Sequence, residues 1–296
     1  MAIAAFAPAK VNLFLHVGAP GEGGYHPLCS LMAFADVGDR LETFEAEAPS
    51  LNVHGPFARA LDDARDNLVL KAARALIAEA KRPVAPVGIT LDKQLPVASG
   101  LGGGSSDAGA ALRLLRRAHD LDIDNDRLQV IAAALGADGA ACLWGAPVVA
   151  EGFGERLSSA PGLPPIDAVL VNAGLPVSTA EVYSRFDADG RFGDVIQPAA
   201  PDAFEDVTEL AAWLATQRND LESAAIAVAP QVGAVLETLA GEPETLLARV
   251  SGSGGTCFAL CGSDIEAETL AERIEALAPD WWVKRYRLGG PWPDPA

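Results

Sequence analysis

The sequence predicts an α+β protein of two domains. Three features carry that expectation: an opening portion rich in short apolar strands, a turn-forming cluster at Pro161-Gly162-Leu163-Pro164-Pro165, and interleaved helical and strand patterns beyond it. A chain of 296 residues can fill two modest cores. Setting the boundary at the proline cluster gives units 1–160 and 161–296.

In order along the chain, Ile3 to Leu15 alternates around Lys10 and reads as a strand, while Asp39 to Glu45 and Leu51 to His54 are short candidates between Pro and Gly signals. Asn67 opens a helical pattern that ends near Lys81-Arg82-Pro83. Val87 to Leu91 is a strand delivering the chain into a glycine-rich loop. After that loop, Ser105, Ser106 and Asp107 suit a helix start, with the helix continuing from Ala108 to Ala118. Arg127 to Leu135 makes a third helix. The stretch Ile131 to Ala150 has one ionisable residue, Asp138, but Gly136, Gly139, Gly145 and Pro147 interrupt it, so it reads as a buried helix end, a turn, then strands. Beyond the boundary come a strand at Asp167 to Val171 and helical segments around Thr179 to Phe186, Glu205 to Leu214 and Gln231 to Leu239. Strand, helix and strand follow between Arg249 and Arg287.

Composition narrows the function. The balance of 22 Lys plus Arg against 40 Asp plus Glu gives a net charge of −18, which argues against a nucleic-acid or anionic-membrane partner. Cys29, Cys142, Cys257 and Cys261 form no disulfide framework and no zinc spacing with the histidines, so a reducing, cytoplasmic setting is expected. Ala2 to Ala7 lacks a charged n-region before it and reads as an opening strand rather than a signal peptide. Asp120 to Asp126 resembles a calcium loop, but Asn125 and Ile131 stand where Gly and Glu are needed, leaving a turn with a helix-capping Asp. Cys257 and Cys261 read as core strand rather than metal ligands.

The most informative stretch is Leu95 to Gly109, where Gly100, Gly102, Gly103 and Gly104 precede Ser105, Ser106 and Asp107. Glycines let consecutive N–H groups turn toward one anion, and a helix N-terminus beside them completes a phosphate site. It lacks the lysine of the Gly-x-x-x-x-Gly-Lys-Ser/Thr loop, and Ser105 breaks Gly-x-Gly-x-x-Gly. The simpler alternative is a flexible loop with a good N-cap. A second cluster, Ser251-Gly252-Ser253-Gly254-Gly255, reads equally as a structural turn or one facing a ligand, and lacks the glycines of a nucleophile elbow.

Two charged residues stand out. Lys10 sits between apolar runs, where a long cation is expensive unless an acceptor meets it, the alternative being a lysine snorkelling from a strand edge. Asp138 is a lone carboxylate in an apolar, glycine-flanked turn, either a helix cap or a functional acid.

Taken in order, Pro8 to Leu15, Pro96 to Ala108 and Ser251 to Gly254 resemble the small-molecule kinase superfamily of galactokinase, homoserine kinase, mevalonate kinase and phosphomevalonate kinase (GHMP). Gly24-Tyr25-His26, Asp66-Asn67-Leu68, Gly136-Ala137-Asp138 and Asn219 to Glu222 are similar to the branch whose acceptor is a cytidine-diphosphate-linked methylerythritol, in non-mevalonate isoprenoid precursor synthesis. The resemblance implies a two-domain fold, ribosomal-protein-S5-like then ferredoxin-like, with the catalytic and ATP-binding work in 1–160 and substrate binding in 161–296. It departs from the family at Gly139-Ala140, where Val-Pro is usual, and at Ser251, where Thr is commoner.

The implied activity is ATP-dependent phosphorylation of the acceptor's 2-hydroxyl. Pro96, Val97, Ala98, Ser99, Gly100, Leu101, Gly102, Gly103, Gly104, Ser105 and Ser106 would take the ATP phosphates, with Ser105 or Ser106 reaching Mg²⁺. Lys93 and Asn67 would flank the nucleotide. Asp138 would be the base for the hydroxyl and Lys10 its partner, orienting the hydroxyl or the incoming phosphate. Tyr25 and Tyr183 would sandwich the pyrimidine, His26 would offer a hydrogen-bonding edge, and Asn12 would bind the same ligand. The related kinases' metal-binding glutamate has no counterpart, so the rest of magnesium's protein ligands are left open. A homoserine or mevalonate type of kinase, or a non-catalytic nucleotide-binding protein, are the rival readings. Neither nucleic acid nor membrane is expected as a partner, and the protein is expected to be a monomer or weak homodimer.

Overall fold

Residues 3–61 and 67–295 are described by the computed structural model, and their strands join in one sheet of ten. The order is β1 (Ala4–Val17), β2 (Leu28–Glu45), β3 (Ser50–His54), α1 (Leu68–Ala78), β4 (Val87–Asp92), α2 (Gly103–Ala118), α3 (Asn125–Ala134), α4 (Gly139–Trp144), β5 (Val148–Gly152) and β6 (Arg156–Ser159). After the proline cluster follow β7 (Ile166–Asn172), α5 (Thr179–Asp189), α6 (Val207–Ala215), α7 (Glu222–Val228), α8 (Pro230–Ala240), β8 (Thr245–Val250), β9 (Thr256–Cys261), α9 (Asp264–Leu277) and β10 (Trp282–Gly289). Asp66 and Ala2, both used above, lie outside the described residues.

The main path of the sheet is β3-β4-β2-β10-β7-β9-β8, with β1 and β5 also on β2, and β6 on β5. Among the described strands, only β3 and β4 pair parallel. The last strand stitches the halves: β10 pairs with β7 from Trp282 to Leu288, then reaches β2 at Leu288↔Ala35 and Gly289↔Phe34. Apolar packing crosses the boundary as well. Val11 and Leu13 share a core with Leu170 and Leu210, and Leu15 and Val17 share another with Val171 and Leu239. A third core joins β1, β2 and β4 to α1, α2 and α3 through Leu41, Leu91, Val69, Leu112 and Leu128. None of the described helices is long and apolar enough to cross a membrane.

Several elements differ from the sequence expectation for physical reasons. The strand expected from Asp39 is the end of β2, whose earlier part is buried on both faces and so shows no alternation. The second helix begins at Gly103, capped by Gly102 and not by a hydroxyl or carboxylate side chain. The turn at Asp138 leads into α4 before β5, a six-residue helix too short to show periodicity. The sequence also gave no sign of α7, another single short helix.

Strand β1 carries what the fold contributes to chemistry. Its pairing with β2 slips between Pro8 and Lys10 and again between Asn12 and Phe14. Bulges re-aim side chains, and residues two apart face the same side of a strand. Lys10 and Asn12 are thereby presented together, between the two slips, at the junction of the halves.

Candidate active site

A cavity of about 670 Å³ opens at this junction. Lys10, Asn12, Asn67, Lys93, the loop from Pro96 to Ser105 apart from Leu101, Asp138 and Tyr183 all line it. So do Thr179 and Ser253, which sequence reasoning did not assign, and apolar Leu15, Leu28, Met32, Leu61, Leu68 and Leu221.

One wall is the first turn of α2. Helices α1, α3, α5, α6 and α9 are each closed by a side chain at the N-cap, whereas α2, like the short α4 and α7 and the proline-led α8, has no side-chain cap, and its N-cap Gly102 is left-handed. Gly102 to Ser105 line the cavity, so the free first-turn N–H groups and the positive end of the α2 dipole lie at it. Gly102 is required by its φ of 62° and by Lys10, whose Cε would lie 3.0 Å from any Cβ added there. Gly100, at φ 77°, is tighter: an added Cβ would lie 2.2 Å from the Ser251 carbonyl oxygen. The Ser251 hydroxyl donates to the Gly100 carbonyl at 3.0 Å and accepts from the Asn12 N–H at 3.2 Å. The second glycine turn is thus a brace behind the first, and its Gly252 and Ser253 also reach the cavity.

Of the two loop serines, Ser106 is buried with its hydroxyl donating to the Pro8 carbonyl at 2.6 Å, while Ser105 lines the cavity. Leu101 is fully buried in the core, and its carbonyl accepts the Lys10 N–H at 2.8 Å. Asn67 caps α1 by accepting the Val69 N–H at 2.9 Å. Lys93 is buried, its ammonium 2.5 Å from Asp39 and 2.7 Å from Asp107. Burial pushes the Lys93 pKa down, and the Asp107 and Asp39 carboxylates more than reverse that.

Against this wall, Lys10 is 3 % exposed, which excludes the snorkelling arrangement. Its ammonium donates to Asn12 Oδ1 at 2.6 Å and lies 3.2 Å from Asp138 Oδ2. Asn12 Nδ2 in turn donates to Ser30 at 2.8 Å, fixing the amide that orients the lysine. Asp138 stands at the N-cap position of α4 but makes no capping hydrogen bond, so its carboxylate serves Lys10 and the cavity.

The expected pyrimidine clamp is only partly assembled. Tyr183 lines the cavity, and burial, followed by the nearby Asp138 charge, pushes its phenol up to about 12. Its ring centroid is 5.1 Å from that of His26. His26 is buried, with Nδ1 2.8 Å from the Gly18 carbonyl and Nε2 3.1 Å from Asp187, so both ring nitrogens already have partners. Tyr25 is outside the cavity lining, 71 % exposed, with its ring edge-on to Phe153 at 6.3 Å. Among the described residues no group of three or more His, Cys, Asp or Glu is disposed to hold a metal ion.

Comparison with known proteins places this geometry. Residues 67–146 match the GHMP kinases N terminal domain and residues 200–280 the GHMP kinases C terminal family. The chain is 58% identical to a 4-diphosphocytidyl-2-C-methyl-D-erythritol kinase of Caulobacter sp. (strain K31), over 98% of this chain and 100% of that protein. A relative of the same name from Hyphomonas neptunium is 48% identical over 97% of each chain. A crystal structure of 4-(cytidine 5'-diphospho)-2C-methyl-D-erythritol kinase superposes with a TM-score of 0.77 at 33% identity, covering 97% of this chain and 99% of that one. The L. major mevalonate kinase, at 16% identity and a TM-score of 0.68 over 98% and 97% of the two chains, shares the fold. With matches to both kinase domains and near-complete alignment to these relatives, the chain belongs to the 4-diphosphocytidyl-2-C-methyl-D-erythritol kinase family of the GHMP kinases.

Proposed function

We propose that the protein transfers the γ-phosphate of ATP to the 2-hydroxyl of 4-diphosphocytidyl-2-C-methyl-D-erythritol. The observation that carries this reading is one cavity lined both by the uncapped N-terminus of α2 and by the adjoining Lys10–Asp138 pair. Phosphoryl transfer needs an in-line acceptor and compensation of charge on the moving group, so positioning supplies most of the catalysis.

The glycine loop and the first turn of α2 bind the triphosphate, and Lys93 and Asn67 flank the nucleotide. Asp138 takes the proton of the attacking hydroxyl at its carboxylate oxygen as the oxygen closes on phosphorus. Lys10, held by Asn12, aligns that carboxylate and meets negative charge on the transferring phosphoryl group. Ser105 is the loop hydroxyl that would help hold Mg²⁺, because Ser106 is spent on Pro8, and the ion would neutralise charge on the ATP phosphates. Tyr183 forms one face of the pyrimidine pocket, and Tyr25, exposed on its loop, is available for the second. The division at 160/161 assigns nucleotide and base chemistry to the first unit; Tyr183 and the bracing turn come from the second.

The reading is tested by coupled assay of ADP release against a panel of acceptors. Turnover of the cytidyl acceptor with phosphate on its 2-hydroxyl is expected. Turnover of homoserine or mevalonate, with none of the cytidyl compound, would overturn it in favour of another kinase of the fold.

A further inference from the structure

Beneath the first residue of α2 lies a buried charge cluster that the transfer chemistry does not itself require. Asp39 comes from β2, Lys93 follows β4, and Asp107 lies within α2, so the cluster ties together the three elements that meet at the nucleotide end of the cavity. An added Cβ on Gly103 would lie 3.1 Å from Lys93 Nζ and 3.8 Å from Asp39 Oδ2, which puts the ammonium directly under the phosphate-facing turn.

The two carboxylates are not equivalent. Asp39 is 0 % exposed and accepts from three donors: Lys93 Nζ on Oδ2, and the backbone N–H groups of Gln94 at 2.6 Å and Leu95 at 2.9 Å on Oδ1. Asp107 accepts from Lys93 through Oδ2, and its Oδ1 is buried without a partner. Asp39 therefore fixes both the lysine side chain and the backbone that enters the glycine loop. An ammonium has three N–H donors; two are taken by the carboxylates, and the third is left for the cavity that Lys93 lines.

We infer that Asp39 is a positioning residue for nucleotide binding, holding Lys93 so that its remaining N–H meets an acceptor atom on ATP and holding the entrance of the glycine loop in register with it. The inference rests on the assignment of Lys93 to the nucleotide flank. Asp39 touches neither substrate. It acts through Lys93 and through Gln94 and Leu95.

Steady-state kinetics of Asp39→Asn, Lys93→Met and the double variant test it. In Asp39→Asn one amide must face either the ammonium or the two backbone donors with its NH₂, so one set loses its acceptor. KM for ATP should rise about tenfold or more, the worth of one charge-assisted hydrogen bond, while kcat and KM for the acceptor change little. Lys93→Met should raise KM for ATP similarly, and adding Asp39→Asn to it should add almost nothing. If Lys93→Met leaves KM for ATP unchanged, the nucleotide-flank assignment fails. If Lys93→Met raises it and Asp39→Asn does not, or the two effects multiply, the positioning role fails while that assignment stands. A joint loss of kcat and of both KM values with a lowered unfolding midpoint marks a purely structural aspartate and also overturns the inference. Should Asp39→Asn not fold, Asp39→Glu keeps the buried charge balance but displaces the ammonium, and an unchanged KM for ATP there overturns it equally.

Discussion

The Ser251 hydroxyl donates to the Gly100 carbonyl oxygen at 3.0 Å, joining two glycine turns 151 residues apart in the chain. The same oxygen accepts the Asn12 N–H, so one buried atom holds the glycine-rich loop, the second turn and the strand that carries Lys10.

Ser251→Ala leaves two buried backbone groups without that partner, a loss of about 1–3 kcal/mol. A lowered unfolding midpoint with a raised KM for ATP is expected, and Ser251→Thr, which keeps the hydroxyl, should restore most of both. Chemical denaturation and initial-rate kinetics on the pair of variants check this.

The glycines of the loop should not respond alike. Gly100→Ala combines positive φ, costing about 1–3 kcal/mol, with an atom 2.2 Å from backbone, and should compromise folding itself. At Gly103 the one tight neighbour of an added Cβ would be Lys93 Nζ at 3.1 Å, with Asp39 Oδ2 and Leu95 Cβ in ordinary contact at 3.8 Å, so Gly103→Val should fold and lose ATP binding. Circular dichroism melts beside calorimetric titration of ATP separate the two outcomes.

All four cysteines are buried and free. Burial, helped by Glu151, pushes the Cys29 thiol up to about 11; burial, followed by Asp138, pushes Cys142 to about 12, and Cys257 and Cys261 are raised also. Each thiol thus contributes stability that is complete below the unfolded value of 9.0 and is lost as pH rises through the folded one. No thiol should react with Ellman's reagent at pH 8 in the native protein, activity should survive iodoacetamide, and stability should fall above about pH 9.

Much of the site was legible in the sequence because its chemistry depends on unusual local residues. Four clustered glycines, a lysine inside an apolar strand and a carboxylate in an apolar turn are each expensive without a purpose, and all three line one cavity. What was not legible depends on tertiary placement. Asp39 looked like the start of a short strand, because nothing local reveals that Lys93, 54 residues later, returns to it. His26 was expected to offer a free edge, yet Gly18 and Asp187 engage both its nitrogens, and only the fold brings α5 to that loop. Ser105 and Ser106 are indistinguishable by type, and helix geometry alone turns one toward Pro8. The fold class followed from element patterns, whereas the continuity of the sheet through β10 required the long-range pairing of Gly289 with Phe34.

The most direct test of the proposed chemistry is a double-mutant cycle on Lys10 and Asp138 read in kcat. Asp138 makes no helix cap and its carboxylate lies 3.2 Å from the Lys10 ammonium, so the two should serve one step on the acceptor hydroxyl. Asp138→Asn and Lys10→Ala should each lower kcat about a hundredfold or more with little change in ATP affinity, and the double variant should be scarcely worse than the poorer single. Near-normal kcat in Asp138→Asn would remove the base from the mechanism. Losses that simply multiply would contradict the shared step and leave Lys10 acting on phosphate charge alone.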